Sequence, residues 1–191
     1  QDKKTQPSKI NTKNYKKITK EDDLSKLIVD LNKRSIISVD TETSSLDPQV
    51  AELIGISLSY AENISFYIPV GHKNIKSLNK DFVVKKLKPI LEDPSIKKVG
   101  QNIKYDFIIL KKHGVELNSV EDTMLLSYTL DAGNNRHNMD TLSELHLNHK
   151  TITYKDLVGS GKKQLKFSEV DIDKATELSL IHISEPTRLS T

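Results

Sequence analysis

Residues Ile36-Ile-Ser-Val-Asp-Thr-Glu42 constrain this chain more than any other stretch. β-Branched residues dominate the first half, and Ser44, Ser45, Asp47 and Pro48 supply turn chemistry directly afterwards, so the segment reads as a buried strand ending at Glu42. Side chains two apart on a strand share a face, which sets Asp40 and Glu42 side by side, about 6.7 Å apart at the backbone. Adjacent carboxylates repel unless a positive charge lies between them, and hard divalent cations with oxygen ligands suit that place. Solvated acids at a strand end would look the same in sequence, so the pair needs a partner before it implies chemistry.

A third acid comes from Val99-Gly-Gln-Asn-Ile-Lys-Tyr-Asp-Phe-Ile-Ile-Leu-Lys-Lys-His113. This stretch predicts a short strand, then a helix closed by Gly114 just past its C-terminus. Asn102 and Asp106 are four apart and are expected on one helical face near its start. Ile103, Phe107, Ile108 and Leu110 have the spacing to pack that helix into a core. A first-turn acid is also favoured by the helix dipole alone. It is the order and placement of the two motifs together that point to one shared site.

The surrounding pattern is α/β. Thr19 is expected to cap a helix over Glu21–Arg34 with Leu24, Leu27, Ile28 and Leu31 on one stripe. Strands are expected at Ile36–Glu42, Leu53–Tyr60 and Ile64–Ile68, the last two forming a hairpin. Helices follow at Asp81–Leu91, Thr123–Leu130 and Asp140–Leu147. Three meandering strands followed by helix–strand units imply a mixed β-sheet flanked by helices. Gly159-Ser-Gly-Lys-Lys has the wrong spacing for a phosphate-binding P-loop and reads as a surface loop.

At 191 residues a single domain is expected. With 36% hydrophobic and 29% charged residues and no cysteine, the composition suits a globular protein without disulfides or a thiolate zinc site. Six histidines, scattered apart from His146 and His149, leave carboxylate chemistry with a hard metal as the better metal hypothesis. No apolar run reaches membrane-spanning length, and cytoplasmic residence is expected. The chain opens on Gln1, so a native N-terminus is expected upstream. Seven lysines and one aspartate in residues 1–20 give a balance of +6, leaving −3 for the rest of a chain of net charge +3. Residues 1–18 therefore read as a flexible basic linker, and the overall positive charge says little about the folded part.

Taken together, Asp40-Thr-Glu-Thr-Ser-Ser-Leu46, Tyr67-Ile-Pro-Val-Gly-His72 and Val99–Asp106 resemble the proofreading 3′–5′ exonuclease domain of bacterial, family A DNA polymerase I, a branch of the DEDD superfamily. Glu121-Asp-Thr-Met-Leu125, Arg136-His-Asn-Met-Asp-Thr-Leu142, His149-Lys-Thr-Ile-Thr-Tyr154 and Gly159–Phe167 extend the resemblance over residues 20–177. The resemblance implies the ribonuclease H-like exonuclease fold for a domain spanning 19–177. It further implies hydrolysis of phosphodiesters at single-stranded or frayed 3′ DNA ends with two Mg²⁺ or Mn²⁺ ions about 3.5–4 Å apart. By that resemblance Asp40 bridges both metals, Glu42 holds the water-side metal, and Asp106 holds the leaving-group metal. Asn102 orients the site, Leu46 wedges between terminal bases, and Tyr105, Arg136 and Tyr154 contact substrate. Base reading is not expected, because proofreading meets ends of any sequence. The implied partner is a polymerase domain in the same parent chain, with the protein monomeric and free of the membrane.

Family members carry a third motif, Tyr-x-x-x-Asp, right after a segment like Val170–Glu177. Here Leu178-Ser-Leu-Ile-His-Ile-Ser-Glu-Pro-Thr-Arg188 follows, with Leu178 at the tyrosine's place. That string is the translation of a transposase sequencing adapter. Residues 178–191 are accordingly read as an adapter-derived scar, and the chain as written is expected to be catalytically impaired. Two other functions fit the first motifs: a ribonuclease D-like 3′–5′ exoribonuclease, and a catalytically dead spacer module of a polymerase.

Overall fold

The computed structural model describes residues 14–73, 75, 77–147, 158–159, 166–176 and 179. Its centre is a meander of three antiparallel strands, β2 (Ile36–Thr43), β3 (Leu53–Ala61) and β4 (Ile64–Pro69). β1 (Tyr15–Lys17) adds parallel to β4; β5 (Lys97–Gly100) adds parallel to β2, and β6 (Val120–Asp122) parallel to β5. The mixed sheet therefore runs β1-β4-β3-β2-β5-β6. Helices α1 (Glu21–Leu31), α2 (Lys80–Glu92), α3 (Lys104–Lys112), α4 (Thr123–Leu130) and α5 (Met139–Leu147) fall between or after the strands.

The two faces of the sheet differ in chemistry. Ile37 and Val39 of β2, Ile56 and Leu58 of β3, and Phe66 and Ile68 of β4 point to one face. There they meet Leu24, Leu27 and Leu31 of α1, Val83, Leu87 and Ile90 of α2, and Ile109 and Leu110 of α3. This aliphatic layer is the main core, since burial of such side chains is the dominant favourable term in folding. The opposite face carries the alternate residues Ser38, Ser57, Ser59, Ser65 and Tyr67, all fully buried. Small side chains there let the described C-terminal residues approach closely. Ile172 packs on Tyr67, and Val158, Phe167, Val170 and Ala175 cluster with Ile54. Asp40 and Glu42 belong to this second, polar face by strand alternation.

Strands and helices fall where the sequence places them, with local differences. The sheet starts at Tyr15 and Ile18 is core, so the lysine-rich opening becomes structured before the expected boundary at residue 19. Thr19 does not cap α1: Lys20 holds that position without a side-chain bond, and the helix ends at Leu31 rather than Arg34. Asn32 to Arg34 fold back instead, with the Lys33 and Arg34 amides donating to the carbonyls of Asp30 and Leu31. Gly114, at φ +76°, ends the α3 region as expected.

Candidate active site

The site forms where β2 outlasts a neighbour. β5 last pairs at Ser38 with Val99, whereas β3 follows β2 to Thr43. Residues 39–43 thus keep a strand on one side only. Gly100 turns the chain beside that open edge so tightly that a Cβ there would meet the Val39 carbonyl at 2.9 Å. Asn102 follows with φ +55°, its amide donating to an Asp122 carboxylate oxygen at 2.9 Å. α3 then begins, and its first-turn Asp106 fills the place a strand would have taken. One Asp106 oxygen accepts from the Thr41 amide at 2.8 Å and from the Thr41 hydroxyl at 2.5 Å.

Asp106 is buried, and Asp40 and Glu42 are half-buried beside it where the cleft opens. Burial pushes the Asp40 carboxyl well above its ordinary range, and the charges of Asp106 and Glu42 push it further. Burial raises Glu42 to about 7; a hydrogen bond from the Ser179 hydroxyl opposes the shift, and Asp106 adds to it. Asp106 is likewise raised to about 7 by burial, against the two Thr41 donors. Carboxylates this close are costly to ionise together, a cost that a positive charge among them would offset. Behind them Tyr67 lies across Gly55, the partner of Glu42 in register. Its hydroxyl meets His72 Nε2 at 2.7 Å.

Asp40, Glu42, Leu46, Asn102, Tyr105 and Asp106 line one cleft of about 330 Å³. Six of the eight residues singled out in the sequence are thereby brought together. Leu46 stands at its mouth, 93% exposed, which removes core packing as the reason for a leucine there. Asn102 is not on a helical face with Asp106, as its spacing suggested; it precedes α3 in a left-handed turn. Arg136 is exposed in the loop between α4 and α5 and does not line the cleft. Tyr154 lies outside the described residues. Sequence reasoning missed Thr41, whose only signal was its place between the two acids. It also missed Gln101, which ties the cleft to both α4 and the following loop through Thr123 and the His137 carbonyl. Ser179, in the stretch that reads as adapter-derived, carries no sequence signal of its contact with Glu42.

A hard cation fits the donor set, which offers carboxylate oxygens only, each holding its proton beyond the usual range. Among the described residues, however, no three His, Cys, Asp or Glu side chains close around a single point.

Solved structures share this architecture. The EXO domain of Aedes aegypti Nibbler superposes with a TM-score of 0.71 at 12% identity, over 96% of this chain and 88% of that one. Escherichia coli RNase D, an exoribonuclease, gives 0.68 at 18%, over 93% and 43%. Brucella melitensis NrnC with bound Mg²⁺ gives 0.63 at 17%, over 92% and 76%. At such identities they define the fold, a ribonuclease H-like exonuclease fold. Residues 15–171 match the profile of the 3′–5′ exonuclease domain of A-type DNA polymerases, and the chain belongs to that family. It is 43% identical over 173 residues to DNA polymerase I of Rhizobium leguminosarum, covering 80% of this chain and 17% of that protein. With DNA polymerase I of Pseudomonas aeruginosa the identity is 41% over 151 residues, covering 76% and 16%. The chain thus spans less than a fifth of the length of these relatives. Among the described residues no helix is long and apolar enough to cross a membrane.

Proposed function

We propose that this domain removes nucleotides from single-stranded or frayed 3′ DNA ends, as the proofreading part of a DNA polymerase I-type enzyme. The observation that carries the reading is the cleft itself. Three acids from two motifs meet at the end of β2, raised by burial and mutual repulsion, beside an exposed leucine. Asp40, Glu42 and Asp106 would hold divalent metal, Mg²⁺ or Mn²⁺. When bound, such ions supply the positive charge that offsets charge building up on a phosphoryl group under attack by water.

The chain's own residues do the rest. Thr41 fixes the rotamer of Asp106 through two donors on one of its oxygens. Tyr105 joins α3 to the strand end through its 2.5 Å contact with Thr43 Oγ1. Leu46 offers an apolar surface on which a terminal base can be separated from its neighbour, at a cost that is smaller when the end is already mispaired. Arg136 and Tyr154 are assigned to substrate contact on the family resemblance.

Residues 178–191 we take as adapter-derived, standing where a Tyr-x-x-x-Asp helix belongs, so hydrolysis by this chain is impaired. The test uses the chain with that motif restored, given 5′-labelled single-stranded DNA and RNA with Mg²⁺ or Mn²⁺. A ladder shortening from the 3′ end of DNA, with release of nucleoside monophosphates and protection by a blocked 3′ terminus, is the expected result. Preference for RNA would favour the ribonuclease D-like reading, which the fold alone accommodates. No cleavage of either would leave a spacer module.

A further inference from the structure

Loop 44–51 carries Leu46 to the mouth of the cleft, and α3 grips that loop at two levels. Tyr105 and Lys112 lie about two helical turns apart and so share one side of α3. The Tyr105 hydroxyl donates to the Ser45 carbonyl at the start of the loop. At the far end, Lys112 Nζ donates to three backbone carbonyls, Pro48 at 2.9 Å, Gln49 at 3.0 Å and Ala51 at 2.8 Å. An ammonium group has three protons to give, and all three go to a single loop. The loop's internal bonds, from the Gln49 amide to the Asp47 carboxylate and from the Ala51 amide to the Asp47 carbonyl, fold its second half. Ala51 anchors the end of the loop in the main core, and Lys112 adds the polar tie from residues 48–51 to α3.

We propose that Lys112 is a positioning residue for the substrate end. Its three hydrogen bonds to residues 48–51 set the loop, and through the loop the place of Leu46 where the 3′-terminal nucleotide enters. Lys112 does not line the cleft, so its effect on DNA runs through Leu46. This inference rests on the nuclease reading above.

The test uses the full chain and three variants: Lys112→Met, Leu46→Ala and the pair combined. Amide hydrogen exchange over residues 44–51 reads the clamp. Fluorescence anisotropy of a short 5′-labelled single-stranded DNA reads the end site. Lys112→Met should speed exchange across the loop and weaken DNA binding by about 3- to 10-fold, the factor by which the competent loop population falls. In the Leu46→Ala background Lys112→Met should cost nothing further, because the two act in series. An equal loss in both backgrounds would make Lys112 a phosphate contact and overturn the proposal. Faster exchange with unchanged binding would reduce it to a structural tie, and unchanged exchange would remove the clamp altogether. If the wild-type chain binds no DNA, the nuclease reading fails, and loop exchange alone decides whether Lys112 is the clamp.

Discussion

Thr41 gives both its backbone amide and its hydroxyl to one oxygen of Asp106, at 2.8 and 2.5 Å. Those two hydrogen bonds join motifs 65 residues apart and make the open edge of β2 the frame of the site. It also determines what the third acid has left to offer, since only one oxygen remains uncommitted to Thr41.

Thr41→Val keeps the buried shape and removes one of the two donors. Hydrogen bonds to charged acceptors contribute about 1.5–3 kcal/mol, so a loss of about 1–2 kcal/mol in stability is expected at pH 8. For a chain of this size that is about 2–4 °C in Tm per kcal/mol. Denaturant titrations at pH 8 and pH 5 check it. The loss should shrink at pH 5, where Asp106, raised to about 7, is protonated. An equal loss at both values would mean that the hydroxyl serves packing rather than the carboxylate.

The raised carboxyls make the cation-free domain less stable as pH rises. Glu42 and Asp106 hold their protons to about 7 when folded, whereas an unfolded chain releases them at about 4. Between those values the folded state binds more protons, so their contribution is fully present below about pH 4 and is lost as pH climbs through 7. Asp40, raised in the same direction, extends the decline. Thermal melts in EDTA from pH 5 to pH 8 should show a falling Tm; a Tm that rises over this range would contradict the burial of these acids.

Much of this was legible in the sequence because it is local. Ile36–Glu42 alternates and ends in turn residues, and α3 announces itself by its apolar spacing and by Gly114. What could not be read depends on neighbours far along the chain. β6 has three residues and exists because β5 offers it an edge. Asn102 looked helical because its spacing from Asp106 fits a helix; the tight passage of Gly100 past Val39 instead forces a turn first. Thr41 gains its role only because β5 stops short, and no pattern within one segment records where a neighbouring strand ends.

Divalent metal should restore what burial costs. Mn²⁺ is expected to raise Tm at pH 8, since it binds the folded state alone. Asp40→Asn should act in two opposite ways. It removes a buried charge, so the metal-free variant melts higher than the wild-type chain at pH 8, and it removes the proposed shared ligand, so the response to Mn²⁺ is mostly lost. Calorimetric titration with an unchanged Mn²⁺ response in Asp40→Asn would place the cation elsewhere.

The tail provides the most chain-specific prediction. Ser179 is fully buried and its hydroxyl bonds both Ser57 and Glu42, so the residue following Leu178 reaches the acid cluster from the polar face of the sheet. A Tyr-x-x-x-Asp beginning at position 178 would set its tyrosine and aspartate four residues apart, the spacing of one helical turn. Replacing residues 178–191 with a continuation that carries this motif adds a fourth carboxylate where three already repel. The restored chain should therefore be less stable without metal at pH 8, show a larger Tm rise with Mn²⁺, and hydrolyse single-stranded DNA orders of magnitude faster than the chain as written, because catalysis of this kind depends on positioned charge. Ser179→Ala in the chain as written should raise the Glu42 pKa further, as it removes a hydrogen bond that opposes the shift. Equal metal-dependent rates from the original and restored chains would show that the three acids suffice and that the tail was misread.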